Sequence, residues 1–108
     1  MNWSVEFVSA VAEAEVDALP SDMRTRFTRF GNLIQDRGIA AMRMPYARHL
    51  TGKLWELRLW GQDGIARSIY MAASGRRVII LRTFVKKTQE TPMREIEIAL
   101  MRLKEVRQ

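Results

Sequence analysis

The sequence contains no cysteine, only one histidine and no long apolar run. Without cysteine the chain forms neither disulfide bonds nor thiolate metal sites, which fits a cytoplasmic protein. It also has no phosphate-binding glycine loop, dinucleotide fingerprint or HExxH zinc motif, so we expect no metal and no cofactor. No apolar stretch reaches about 18 residues, and the N-terminus lacks the features of a signal peptide. We therefore expect neither membrane insertion nor export.

Acidic residues are scarce after the first 22 positions, whereas basic residues are abundant there. The 18 Lys and Arg outnumber the 12 Asp and Glu, for a formal net charge of +6, and all 18 lie after residue 22. Fourteen of them are arginine, whose planar, forked guanidinium suits phosphate groups. This pattern favours a polyanionic partner such as nucleic acid. An inert basic surface would have the same composition.

The hydrophobic pattern predicts one α+β domain over residues 1–108. Its mainly antiparallel sheet consists of an N-terminal strand and a three-stranded meander, with two N-terminal helices and a C-terminal helix packed on one face. The predicted strands cover 3–8, 54–60, 65–73 and 77–85, the first two helices cover 10–19 and 20–38, and residues 39–52 form a loop.

The last predicted helix begins at a Thr-Pro pair, with Thr91 as the N-cap and Pro92 as the first helical residue. Its apolar residues recur at helical spacing and are expected to face the core. They are Met93, Ile96, Leu100, Leu103 and Val106.

Charged residues interrupt the apolar strands. Side chains alternate along a strand, so Trp55, Leu57 and Leu59 are assigned to the core and Glu56 and Arg58 to the opposite face. In the same way we expect four cations to line one concave surface, together with the neighbouring Phe84: Arg58, Arg67, Arg82 and Lys86. The alternative is a scatter of surface charges paired with carboxylates such as Glu56.

Lys86 and Lys87 stand side by side where the last strand ends. Cations at this position discourage pairing between sheet edges. The start of the next helix also attracts anions, so the two lysines and the helix N-terminus are equally consistent with a phosphate site.

Two other residues have both a functional and a structural interpretation. His49 is either a general acid or base or an ordinary loop histidine. Trp60, which shares a strand face with Arg58, either stacks on nucleobases or fills the core.

Three stretches resemble the RelE/ParE superfamily of toxins, most closely its HigB-like, phage-related branch. They are LTGKLWELRL (50–59), GIARSIYM (64–71) and VIILRTFVKKTQETPMREIEIALMRLKE (78–105), and LPSDMRTRF (19–27) is similar to the family's helical hairpin. The resemblance covers nearly the whole chain.

The resemblance implies a toxin of a type II toxin–antitoxin system that cleaves mRNA on the ribosome. By motif position, Arg58, Arg67, Lys86 and Lys87 would bind and stabilise phosphate, and Thr88 or His49 would assist proton transfer. Lys53, Trp60, Arg82, Phe84 and His49 are the candidates for further RNA contacts. The expected partners are a HigA-like helix-turn-helix antitoxin, the ribosome and mRNA.

The sequence departs from the family in one respect. RelE-like members often carry a Tyr or His near the last helix, but residues 85–108 contain neither. The superfamily also contains ParE-like inhibitors of DNA gyrase, so such an inhibitor is one alternative function, and a non-enzymatic nucleic-acid-binding module is another.

Overall fold

The computed structural model describes residues 2–86 and 90–106. Five strands and three α-helices follow one another along the chain, with one short 3₁₀ helix between the second α-helix and the second strand. In chain order they are β1 (Ser4–Phe7), α1 (Ala10–Asp17), α2 (Ser21–Arg37), the 3₁₀ helix (Ile39–Ala41), β2 (Ala47–Thr51), β3 (Leu54–Gly61), β4 (Gly64–Ala73), β5 (Arg77–Lys86) and α3 (Met93–Leu103). No helix in the described ranges is long and apolar enough to cross a membrane.

The sheet has the strand order β1-β5-β4-β3-β2. Strands β2 to β5 form an antiparallel meander, and β1 pairs with β5 in parallel. The α+β fold with a mainly antiparallel sheet is thus confirmed. The prediction of a loop over 39–52 is wrong, because β2 lies within it. This edge strand pairs on one side only and has a register shift between His49 and Thr51. The shift interrupts the regular alternation of apolar and polar side chains by which a strand is recognised in a sequence.

Helices cover both faces of the sheet, whereas we expected them on one face. Helices α1 and α2 pack on the face that carries Leu57, Leu59 and Ile80. Helix α3 packs on the opposite face, where Ala99 contacts a cluster that includes Ile69. We call these the α1/α2 face and the α3 face. Because α3 is short, part of the α3 face remains uncovered by a helix.

Three core assignments are wrong, one on β3 and two on α3. Trp55 lies on the α1/α2 face as predicted, but 41% of it is exposed. In α3, Met93 and Leu100 are 68% and 42% exposed, whereas Ala99 is the fully buried residue. The apolar side chains of α3 therefore extend around more of the helix than the single stripe that packs on the sheet.

The start of α3 also differs from the prediction. Pro92 rather than Thr91 is the N-cap, and no side chain caps the helix. The Thr91 hydroxyl instead donates a hydrogen bond to Glu56 Oε1 on β3. This bond ties the beginning of α3 to the uncovered part of the α3 face.

The hairpin of β3 and β4 is attached to α2 at its turn. Asp22 Oδ2 accepts a hydrogen bond from the Gln62 backbone N–H at 2.7 Å. A Cβ atom at Gly61 would lie 2.7 Å from Met23 Cγ, so only glycine allows this close approach. The attachment fixes the hairpin that carries the arginines described next.

Candidate nucleic-acid interface

The strand register places charged residues in adjacent rows on the uncovered part of the α3 face. Arg58 is paired with Arg67, and Arg67 with Phe84. The next row joins Trp60, Ile65 and Lys86. Cross-strand neighbours on one face are close enough to interact. The predicted grouping of Arg58, Arg67 and Lys86 on one face is therefore what the register produces.

Glu56 is the centre of this surface. Its carboxylate is fully buried and lies 2.7 Å from Nη1 of Arg67, which is also fully buried. The Nε atoms of Arg48 and Arg58 lie 3.7 and 3.9 Å from the same Glu56 oxygen. We call Arg48, Arg58 and Arg67 the arginine cluster. With three cations and one anion, the cluster and Glu56 together carry a formal charge of +2.

The arginine cluster is short of hydrogen-bond acceptors. Within the described part of the chain, the Nε atoms of Arg48 and Arg58 are buried and have no hydrogen-bond partner. Buried donors without an acceptor are rare, because desolvating them costs free energy. Burial lowers the pKa of Arg58, the neighbouring Arg67 and Arg48 lower it further, and Glu56 only partly opposes them. The site is therefore suited to an anion that brings further acceptor oxygens.

Arg58 connects the cluster to the protein surface. Its side chain is 12% exposed, and its guanidinium lies 5.5 Å from the centre of the Trp60 ring. The Trp60 ring in turn contacts Tyr46 edge-on, with 6.3 Å between the ring centres. The predicted shared face of Arg58 and Trp60 is thus a direct cation–π contact, which holds the guanidinium beside a partly exposed aromatic ring.

Arg82 does not extend the arginine cluster. Its guanidinium donates to Glu15 Oε2 at 2.6 Å and to Glu95 Oε1 at 2.7 Å. Burial alone would lower the pKa of Arg82, but the hydrogen bonds with Glu95 and Glu15 outweigh it, and the pKa is raised. The guanidinium is therefore engaged by two carboxylates, which corrects the expectation that it lines the same surface.

The network that contains Arg82 and Glu15 stabilises the free edge of β5. Strand β1 pairs only as far as Ile80, which leaves the following backbone groups without a strand. Glu15 accepts a hydrogen bond from the Thr83 N–H, and Arg102 donates one to the Leu81 carbonyl. Side chains from α1 and α3 thus satisfy the exposed edge.

The other predicted site residues lie in different environments. His49 is paired with Trp55 on the α1/α2 face, and its Nε2 lies 2.8 Å from the Gly52 carbonyl oxygen. Phe84 is 8% exposed and belongs to the buried apolar cluster of the α3 face. Lys53 is exposed in the turn between β2 and β3. Lys87 and Thr88 lie outside the described residues.

Sequence reasoning missed two members of the site. Glu56 was treated as a surface partner, although it is the buried counter-ion of the cluster. Arg48 lay in the predicted loop, and only the pairing of β2 with β3 places it opposite Glu56. An acidic residue inside an apolar strand, flanked by arginines on neighbouring strands, was the available signal. Within the described ranges, no group of acidic or histidine residues could hold a metal ion.

Comparisons with known proteins agree with this architecture. Residues 14–104 match the family described as Phage derived protein Gp49-like (DUF891). The archaeal RelE in the RelE–RelB complex from Pyrococcus horikoshii OT3 superposes with a TM-score of 0.61 at 20% identity, over 79% of this chain and 96% of that chain. A double arginine-to-alanine mutant of the E. coli toxin RelE in the free state superposes with a TM-score of 0.65 at 13% identity, over 95% of this chain and 99% of that chain. No curated protein matches the sequence significantly.

The family match covers most of the chain, and both RelE structures share its strand and helix arrangement. The chain belongs to the phage-derived Gp49-like family and has the fold of the RelE toxins, as its resemblance to the RelE/ParE superfamily predicted.

Proposed function

We propose that this protein is the toxin of a type II toxin–antitoxin pair and cleaves mRNA on the ribosome as a metal-independent endoribonuclease. The observation that carries the proposal is the arginine cluster around the buried carboxylate of Glu56. The RelE-toxin fold supports the same activity. We place the protein in the HigB-like branch and in the cytoplasm, where ribosomes are found.

The arginine cluster supplies the charge that an RNA phosphate would neutralise. Arg48 and Arg58 both reach the surface, and Arg58, which lies beside the partly exposed Trp60 ring, is the member that would contact the phosphate. Arg67 is fully buried and would act from beneath, by holding Glu56 and adding positive charge. Charge-assisted hydrogen bonds between guanidinium and phosphate are among the stronger polar contacts in proteins.

The proposed reaction is attack by an RNA 2′-oxygen on the adjacent phosphorus. The new P–O2′ bond forms as the P–O5′ bond breaks, leaving a cyclic phosphate and a free 5′-hydroxyl. The 2′-oxygen loses a proton and the 5′-oxygen gains one. Negative charge builds on the phosphate oxygens in between, where positioned cations accelerate such reactions. We assign this stabilisation to Arg58, Arg67, Lys86 and Lys87.

Proton transfer is assigned to Thr88, with the lysines beside it. His49 is left out of the reaction because it lies on the other face of the sheet from Arg58. Trp60 is proposed to stack on a base beside the reacting phosphate, since base–aromatic stacking contributes about 1–3 kcal/mol per base. Lys53, exposed at the turn after β2, would contact the backbone further along the RNA.

The expected protein partner is a helix-turn-helix antitoxin of the HigA-like type. One of the structurally similar proteins is a RelE in complex with RelB, which supports a partner of the antitoxin class. Binding of this partner would prevent entry into the ribosome.

The test is induced expression in bacteria followed by mapping of mRNA 5′ ends. We expect discrete breaks within translated codons that carry 5′-hydroxyl groups, and their loss in Arg58→Ala. Arg29→Ala, an exposed arginine on α2, is the matched control and should cleave normally. Intact mRNA together with damaged DNA would instead identify a gyrase inhibitor. If both mRNA and DNA stay intact, the result would favour a non-enzymatic nucleic-acid-binding module.

A further inference from the structure

A cavity of about 610 Å³ opens on the α1/α2 face, at the end of the sheet next to β2. Helices α1 and α2 leave this end open, as the exposure of Trp55 indicates. The lining includes side chains of the 3₁₀ helix, the following loop and strands β2 to β4. Its apolar members include Ile39, Met42, Met44, Ala47, Trp55 and Ala72.

The cavity exposes large apolar side chains to water. Met44 is 66% exposed and Trp55 is 41% exposed. Contiguous exposed apolar surface commonly marks an interaction site. Methionine side chains adapt their shape to different apolar partners. The cavity is therefore suited to a large apolar side chain supplied by another molecule.

The arginines among the described lining residues of the cavity give it a positively charged rim. Arg43, Arg48 and His49 line it, and no Asp or Glu is among its described lining residues. Arg43 is exposed, and its Nε donates to the Ala40 carbonyl at 3.2 Å, which fixes the guanidinium near the rim. The His49 ring contacts Trp55 edge-on, with 5.0 Å between ring centres. Such a rim complements carboxylates beside the apolar anchor.

We propose that this cavity is the docking site for an acidic segment of a partner protein, which inserts one large apolar side chain and places carboxylates on Arg43 and its neighbours. The lining of methionine, isoleucine and alanine favours an aliphatic or aromatic side chain over a nucleobase, whose polar edges need hydrogen-bond partners. The inference goes beyond the proposed function. It concerns a protein contact on the opposite face of the sheet from Arg58.

The geometry separates this docking site from the candidate nucleic-acid interface, with one exception. Arg48 lines the cavity and also lies 3.7 Å from Glu56. Mutation of Arg48 would therefore disturb both sites. Arg43 and Met44 have no contact with the arginine cluster among the contacts described, so they are the residues to change.

The experiment selects short random peptides that bind the full chain, with the Arg43→Glu and Met44→Ser variants as counter-selection. Selected peptides should combine a large apolar residue with flanking Asp or Glu. Fluorescence anisotropy with one labelled peptide should show affinity at least about fivefold weaker for each variant, as expected for an interface residue of moderate importance. Both side chains are exposed, so thermal melting should match the parent chain.

Three results would overturn the docking site: no enriched peptides, enrichment of basic peptides, or equal binding to the parent and both variants. A single-stranded RNA oligonucleotide is the comparison ligand. If RNA binding falls in Arg43→Glu and Met44→Ser but not in Arg58→Ala, the cavity binds nucleic acid and the protein-docking proposal fails. The mRNA cleavage assay is independent of these outcomes.

Discussion

Glu56 and Arg67 form an ion pair with 2.7 Å between Oε2 and Nη1, and neither side chain is exposed to solvent. The pair joins β3 to β4 in the middle of the sheet. Two further guanidiniums, those of Arg48 and Arg58, face the same carboxylate oxygen. Glu56 therefore compensates part of the charge of three cations, and it supports both the stability and the proposed activity of this surface.

Removal of the Glu56 charge should destabilise the protein strongly. Glu56→Gln leaves buried Arg67 without its carboxylate, and breaking a buried ion pair from one side typically costs about 3–5 kcal/mol. The measurement is the free energy of unfolding in urea. Glu6→Gln is the matched control, because Glu6 pairs with Arg77 at the surface and exposed pairs contribute about 0–1 kcal/mol. Equal effects of the two variants would contradict the central role of Glu56.

Arg58 should be required for cleavage but not for folding. Its side chain reaches the surface and lies over the Trp60 ring, so we expect Arg58→Ala to retain the fold. The cleavage rate should fall by about 10²–10³, the usual effect of losing one charge-stabilising donor. Arg58→Lys keeps the charge but loses the forked geometry, and should recover only part of the rate. Rates are measured on mRNA bound to ribosomes, with circular dichroism to confirm folding.

Lys86 and Arg82 should differ in their effect on RNA binding, although the sequence presents them as equivalent cations on one strand. Lys86→Ala should reduce the slope of log affinity against log salt by about one, as loss of one phosphate contact does. Arg82→Ala should leave that slope unchanged and lower stability instead, because it leaves Glu15 and Glu95 without a shared partner. A reduced slope for Arg82→Ala would show that Arg82 contacts RNA.

Glu15 should make stability depend on pH in the acidic range. Burial tends to raise the pKa of Glu15, but the hydrogen bonds from Arg102, the Thr83 N–H and Arg82 outweigh it, and the pKa lies below the ordinary value of 4.5. A carboxyl whose pKa is lowered by folding stabilises the protein above its unfolded pKa and loses this contribution as the pH falls through its folded pKa. Urea unfolding between neutral pH and values below 4.5 should therefore show a smaller loss of stability in Glu15→Gln than in the parent chain.

The outcome for Glu15→Gln separates its network from the general acid sensitivity of the protein. Glu13 lies on the same helix but is exposed, so Glu13→Gln is the matched control and should keep the parent's pH dependence. If Glu15→Gln and Glu13→Gln behave alike, the contacts of Glu15 with Arg82 and Arg102 contribute little.

The main helices and strands could be predicted from the sequence, because their apolar residues recur at regular helical or strand spacing. The alternation in 54–60 and the helical spacing of Met23, Phe27, Phe30 and Ile34 are local signals, and all four of these helix residues are buried. Strand β2 was missed because it is a short edge strand. Its pairing with β3 is a tertiary contact that has no clear signal in the local sequence. Thr91 was taken as a helix cap, although its hydroxyl reaches Glu56 on a distant strand.

For the site, the sequence predicted only which strand residues share a face of the sheet, because side chains alternate along a strand. Alternation placed Arg58 and Arg67 on one face, but it could not tell a buried arginine from an exposed one. Arg82 shows the same limit, since its partners Glu15 and Glu95 lie on α1 and α3. The packing of three helices on two faces determines which cations remain available, and that packing is not a local property of any strand.

Cleavage of ribosome-bound mRNA by the purified protein is the most direct test of the proposed function. A defined mRNA is placed on ribosomes, incubated with the parent chain, Arg58→Ala or Arg29→Ala, and its new 5′ ends are mapped. We predict discrete breaks with 5′-hydroxyl ends for the parent chain and Arg29→Ala, strongly reduced breaks for Arg58→Ala, and little cleavage of the same mRNA without ribosomes. Intact mRNA with the folded parent chain, or equal cleavage by Arg58→Ala, would contradict the account.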